Sequence, residues 1–164
     1  MLGGFPTEKK YFPDMQQTNR ILQFRGWNAK NQTWLYGSYT KNRGFHFICP
    51  DEFAEDKTWE DYEVDPATVG QFSGCYDKTG AMVYEGDIVD AWSAGSHVTN
   101  GIIHFSSCHF FILLTSDNGP YGHWHLAPSQ YDGNDEHLRV VGNIHDNPEL
   151  VKGYLEYEAK HKTT

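Results

Sequence analysis

The stretch from Phe72 to Val89, FSGCYDKTGAMVYEGDIV, limits the fold more than any other part of this chain. It holds two turn signals, Asp77–Gly80 and Glu85–Asp87, each flanked by short apolar or aromatic runs. Gly80 and Gly86 can take the positive φ that a tight turn needs, and the Asp side chains can accept from nearby backbone N–H groups. This is the wiring of a β-domain and carries no catalytic signature. Composition agrees. Aromatic residues make up 15% of the chain and are joined by 16 Gly and 7 Pro, a mixture that favours strands and turns over a helical bundle. A length of 164 residues suits one domain with an appendage or two, large enough to bury a core without covalent staples.

Charge and cysteine usage narrow the classes. The net charge is −9, with 13 Lys and Arg against 22 Asp and Glu. Nucleic-acid affinity comes largely from neutralising phosphates with Lys and Arg, so this balance argues against generic DNA or RNA binding. Cys49, Cys75 and Cys108 are far apart and form no C-x-x-C pair, which leaves neither a zinc ribbon nor a thioredoxin motif. They read as free thiols in a reducing cytoplasm. The N-terminus lacks the basic and apolar regions of a signal peptide. No apolar run approaches the roughly 20 residues of a membrane span. The expectation is a soluble, cytoplasmic protein.

Taken in order, residues 1–19 read as a polar arm, either disordered or laid across a neighbour through Phe5, Tyr11 and Phe12. Ile21–Trp27 and Thr33–Tyr39 read as a hairpin, with Phe45–Cys49 as a third strand ended by Pro50. The segment 51–65 carries Asp51, Glu52, Glu55, Asp56, Glu60, Asp61, Glu63 and Asp65 against Lys57 alone. It reads as a solvated loop or short surface helix. The sharper alternatives are an acidic surface for a basic partner, a mimic of DNA, or a cation site, although no EF-hand spacing is present. Thr68–Tyr76, Met82–Tyr84, Ile88–Trp92, Gly101–Phe105, His109–Thr115 and Leu138–Ile144 read as further strands. Ser93–Asn100 reads as a polar loop, and Tyr121–Ala127 as a strand or extended connection. The run Phe110–Leu114 is apolar on both faces and belongs at the centre of a core or against another subunit. Asn147, Pro148 and Glu149 suit a helix start, with Leu150, Val151, Tyr154, Leu155 and Tyr157 as its apolar side.

This order of strands and turns predicts a small antiparallel SH3-like barrel over residues 68–147. An N-terminal hairpin region with its acidic loop (20–67) packs on it, and a C-terminal helix and tail (148–164) follow. A closed barrel also removes exposed edges, which an aromatic-rich chain needs.

Three separated segments resemble the YopX family of small phage and prophage proteins. Ile21–Asn28 (ILQFRGWN) is similar to the family's opening IKFRAWD, with Gly26 where Ala is usual. Gly70–Gly80 followed by Val83–Val89 is similar to QYTGLKDKNGKEIYEGDIV, with Cys75 and Tyr76 replacing an aliphatic–charged pair. Val140–Leu150 (VVGNIHDNPEL) is similar to VIGNIYENPEL. The resemblance implies a mostly β fold, a bacterial or phage origin and expression in the bacterial cytoplasm. It supplies no activity, because the family has no assigned function, and no catalytic residue is carried over. The motif glycines suit special backbone positions, and Tyr84, Ile88, Val89 and Ile144 suit a core. The polar members Arg25, Glu85, Asp87 and Asn143 stand out as a cluster, together with Trp27 as a partner-binding surface. Arg25 is expected to pair with Glu85 or Asp87, since a guanidinium matches a carboxylate with two parallel bonds.

Histidine offers the main route to chemistry, with nine in the chain. His123 and His125 on one strand place two imidazoles on one face, and His104, His109 or an Asp would complete a metal site. Cys108 and His109 are adjacent on a strand and face opposite ways, which weakens a thiolate–imidazole reading. There is no G-x-S-x-G, P-loop or G-x-G-x-x-G, and no cofactor is expected. Trp27, Trp34 and Tyr36 beside Arg20, Arg25 and Lys30 suggest a face for single strands, against a plain aromatic hairpin. The leading expectation is a non-enzymatic interaction or homo-oligomeric assembly module whose partner is itself or a phage or host protein. A nucleic-acid-linked role and a small metalloenzyme built on His123 and His125 follow in that order.

Overall fold

Period-two alternation puts Arg25 and Trp27 on one face of the first strand, β1 (Phe24–Asn28), and Phe24, Gly26 and Asn28 on the other. The computed structural model describes residues 21–161 other than 53, 94–95 and 127–136. The expected arm, 1–19, lies outside the described residues. β1 pairs antiparallel with β2 (Thr33–Asn42), Arg25 opposite Tyr36 and Trp27 opposite Trp34. β3 (Phe45–Cys49) extends this hairpin. On the other side of β1 come β4 (Gly70–Tyr76), with Phe24 opposite Gln71, and then β5 (Met82–Tyr84). The second sheet holds β6 (Asp87–Ser93), β7 (Ser96–Ser106), β8 (His109–Ser116), β9 (Gly119–His125) and β10 (His137–Asn143), in the order β10-β6-β7-β8-β9.

Among the described residues the strands do not close into the expected SH3-like barrel. These residues are mainly β, with two antiparallel five-stranded sheets and one C-terminal α-helix. β4 and β5, expected in the barrel, join the N-terminal hairpin to make the order β3-β2-β1-β4-β5. β9 and β10 lie at opposite edges of the second sheet, so that sheet does not close. The polar stretch expected as a loop is also largely strand. Ser96, His97 and Val98 pair with Ser93, Trp92 and Ala91, and the register then shifts before Gly101 meets Val89. Asn100, at φ 54°, occupies the irregularity, as a bulge requires.

The second sheet buries residues from both faces, which accounts for the doubly apolar run in β8. Ile112 and Leu114 pack with Val83, Val89, Ala91 and Ile103 in one core. Leu113 packs with Ile88, Ile102, Val151, Tyr154 and Leu155 in the other. The latter includes the helix α1 (Lys152–His161), which a 3-10 turn, Pro148–Val151, precedes. Asn147 takes the N-cap position with Pro148 after it, as expected, but its side chain does not bond the turn; its Oδ1 accepts instead from the Asn143 N–H. α1 seats against Gly119, where φ is +105° and a Cβ would stand 2.6 Å from the Tyr157 ring.

The far face of β1 holds the acidic segment. Gly26 leaves room for Val64, since a Cβ there would lie 2.9 Å from that side chain. The buried Asn28 amide donates to the carbonyls of Glu60, Asp61 and Glu63, and its Oδ1 accepts from the Asn31 N–H. Among the described residues no helix is long and apolar enough to cross a membrane.

Candidate functional site at the junction of the two sheets

The turn from Tyr84 to Asp87 carries the chain from the first sheet into the second. Asp87 Oδ2 accepts the Tyr84 N–H at 2.8 Å. Gly86, at φ +82°, donates its N–H to Ile103 O, and its carbonyl accepts from Ile144 N, both at 2.9 Å. The second turn signal is thus fixed to the second sheet by its own backbone.

Arg25 reaches this turn from β1. Its Nη1 faces Asp87 Oδ1 at 2.5 Å, and its Nη2 donates to the Glu85 carbonyl at 3.2 Å. The contact with Oδ1 is ionic rather than a well-directed hydrogen bond, and Arg25 Nε is buried without a hydrogen-bond partner. The guanidinium carbon lies 5.0 Å from the Trp34 ring centroid and 5.2 Å from that of Tyr84, a cation held between two π faces. Arg25 is 6% exposed and Asp87 1%. Burial raises the pKa of Asp87 above the ordinary carboxylate value, and the Arg25 charge and the Tyr84 N–H offset only part of that rise. Burial likewise lifts the Tyr84 phenol to about 12. Its hydroxyl donates to Gln23 Oε1 at 2.6 Å.

Two further joints flank this pair. Asp77 ends β4. Its Oδ1 accepts from the Thr79 N–H and hydroxyl and from Ala81 N, while Oδ2 accepts from Val140 N at 3.2 Å in the second sheet. Lys78 N donates to Leu138 O beside it. Burial opposes the Asp77 charge, but the bonds from Thr79, Ala81 and Val140 prevail and lower its pKa. On the other side, Trp34 Nε1 donates to Asp146 Oδ2 at 2.8 Å, and the Asn143 amide donates to the same oxygen at 2.7 Å. Asn143 Oδ1 accepts from the N–H groups of His145 and Asp146, closing their turn.

Of the expected partner-binding residues, Arg25, Asp87 and Asn143 are buried in these joints. Glu85 serves Arg25 through its backbone carbonyl. Trp27 packs on Trp34 with ring centroids 5.8 Å apart, and its backbone N–H donates to the Thr68 hydroxyl. Asp77, Trp34, Tyr84 and Asp146 complete the joints; the sequence places Asp77 in a turn, Trp34 on an aromatic–basic face and Tyr84 in a core, none of them at a joint between sheets. Asp77 lies in the first turn signal, and Trp34 stands opposite Trp27 in the hairpin, so both had a local signal. Asp146 had none.

The histidines expected to hold a metal lie elsewhere. His123 and His125 are exposed on β9, and His109 is exposed at the start of β8. Among the described residues, no three His, Cys, Asp or Glu side chains gather closely enough to hold a metal ion. Cys49 and Cys75 have thiol pKa values raised by burial, and Cys108 is exposed in the β7–β8 turn at φ 70°.

Residues 23–152 match the family model described as YopX protein. The chain belongs to the YopX family. In this YopX protein the three resembling segments meet in space: Arg25 from the first, Asp77 and Asp87 from the second, Asn143 and Asp146 from the third. A crystal structure of protein EF1440 from Enterococcus faecalis is similar at 20% identity and a TM-score of 0.40, over 80% of this chain and 98% of that one. No curated protein matches the chain.

Proposed function

We propose that this YopX family member is a non-enzymatic, phage- or prophage-encoded module of the bacterial cytoplasm. It acts by assembling with its own copies or by docking on another phage or host protein. One observation carries the reading: the polar residues that stand out in the family segments, Arg25, Asp87 and Asn143, turn inward. Arg25, Asp87 and Asn143 engage one another's neighbours and the backbone, so the motif maintains a scaffold. Apolar groups remain at the surface, with Tyr36 47%, Tyr76 48% and Phe45 54% exposed. Native mass spectrometry of the full chain tests this. A defined multiple of 18.8 kDa supports assembly, and a strict monomer that retains no partner in solution contradicts it.

The nucleic-acid alternative splits on the same geometry. Single-strand binding through Arg25 needs a guanidinium at the surface, and this one is buried. Mimicry of DNA by the acidic segment draws on Asp51, Glu52, Glu55, Asp56 and Glu60, which are exposed. Asp61 and Asp65 accept local hydrogen bonds there, and Asp61 also pairs with Lys30. A chain that ignores immobilised polylysine at low salt would sink the mimicry reading.

A further inference from the structure

β9 ends the second sheet, and among the described residues it is the sheet edge left open. The other edges are stopped. Along β3, Ile48 N donates to Tyr62 O and Val64 N to His46 O, so residues 62–64 cover that strand. Along β10, Lys78 N donates to Leu138 O and Val140 N to Asp77 Oδ2. β5 is three residues long, and the Tyr84 N–H is taken by Asp87. The groups that β9 turns outward follow from the hairpin before it. Ser107 and Cys108, at φ 51° and 70°, make a two-residue turn that sets Ser106 opposite His109. A pair flanking such a turn exchanges both backbone hydrogen bonds, and bonded pairs alternate with unbonded ones along the ladder. His109, Phe111 and Leu113 therefore bond β7, while Ile112 and Leu114 bond β9 at Trp124 and Gly122. The backbone N–H and C=O groups of His123 and His125 point away from β8. Among the described residues they have no backbone partner.

An open row of backbone groups is a template for a further strand. Edges that stay single are commonly guarded by charge, yet residues 119–126 (GPYGHWHL) contain no Asp, Glu, Lys or Arg. Pro120 guards only the turn end of the strand, on the near side of the register shift. Tyr121, 66% exposed, and the half-buried Trp124 add aromatic surface beside the open groups. This neutral edge fits a second copy of the chain. Two-fold antiparallel pairing is self-complementary, and at this edge it sets no acidic residue against another although each chain carries a net charge of −9. Centred on Trp124, it places His123 of one copy opposite His125 of the other. The outward N–H and C=O groups of both residues then all find partners.

We propose that two copies of this chain join edge to edge and antiparallel through β9, so that their second sheets become one continuous sheet. This seam rests on the reading of the chain as a module that assembles with its own copies, and it names the surface. Native mass spectrometry and analytical ultracentrifugation of the full chain, with its His123→Pro and His123→Ala variants, test it. The parent should show twice 18.8 kDa. His123→Pro removes one outward N–H per copy, follows Gly122 and leaves the β8–β9 bonds in place. It should weaken the dimer about tenfold or more, because two hydrogen bonds of the seam are lost and their carbonyls stay unpaired. His123→Ala keeps the N–H, loses only the ring and should remain dimeric. Amide exchange gives a second readout. The His123 and His125 N–H groups should exchange slowly in the concentrated parent and fast on dilution. The Trp124 N–H should stay protected throughout, which shows β9 still paired with β8; where His123→Pro disturbs that pairing, exchange in the parent decides. A parent multimer that survives His123→Pro, or that exchanges both outward amides fast, overturns the seam and leaves self-assembly standing. Equal loss in His123→Ala and His123→Pro also overturns it, because the ring and not the backbone would then hold the copies together. A parent that is monomeric at every concentration overturns the seam and self-assembly together.

Discussion

At the junction, Arg25 and Asp87 are almost wholly buried and join one sheet to the other, whereas His123 and His125 stand exposed on β9, an edge strand of the second sheet. Both regions supply residue types that could serve chemistry. The junction groups have neighbours that consume them: a carboxylate, a carbonyl, two ring faces and a set of backbone N–H groups. Among the described residues, the His123 and His125 rings approach one another and those of Phe111 and His109, and His109 Nδ1 lies 3.3 Å from the Ser107 carbonyl. Burial and mutual engagement therefore mark the first region as structural and leave the second available. The energetic consequences should differ accordingly, because a buried charge stripped of its partner is costly while an exposed side chain is not.

The largest effect should follow Asp87→Ala. It strands the Arg25 charge between Trp34 and Tyr84 and should lower unfolding free energy by about 3–5 kcal/mol in urea titration. Gly26→Ala, on the opposite face of the strand that carries Arg25, presses a methyl group onto Val64. It should cost about 1–3 kcal/mol by overpacking, and Val64→Ala in the same chain should recover part of that loss. Asp77→Asn replaces an oxygen that accepts from Val140 and should cost about 1–3 kcal/mol at neutral pH. It should also change the acid response. The Asp77 pKa is lowered on folding, so its ionised form contributes stability above the unfolded value of 3.8, and that contribution is lost as pH falls through the lowered native value. The variant should therefore show a shallower loss of stability on acidification below that value. The smallest effect should be that of His125→Gln, within about 0.5 kcal/mol of the parent. A larger loss would move β9 from the available class to the structural one.

Much of the local structure is legible in the sequence. The Asp77–Gly80 turn forms as its residues require, with Gly80 at φ +86° and its N–H donated to Asp77 O. The doubly apolar run in β8 is buried from both sides. Partition into sheets is a different matter. The pairing of Phe24 with Gln71 is chosen by tertiary packing, and no local pattern says that β4 prefers β1 to the strands that follow it. The second half of the strand Ser96–Ser106 is readable as Gly101–Phe105, but its first half is hidden because it is largely polar and Asn100 interrupts it. At the site, matching charge makes an Arg25–carboxylate pair readable, but the choice between Glu85 and Asp87 is settled by the turn. Asp87 offers its carboxylate and Glu85 its carbonyl. The Trp34–Asp146 bond spans 112 residues of chain and leaves no trace in composition or spacing.

The most direct measurement is a double-mutant cycle on Arg25→Met and Asp87→Leu, read by equilibrium unfolding. If the pair fastens the two sheets, each single variant strands a buried charge and costs about 3–5 kcal/mol. The double variant should then cost less than their sum by at least about 1 kcal/mol. Two small effects that add within about 0.5 kcal/mol would contradict it, because the two side chains would then act independently.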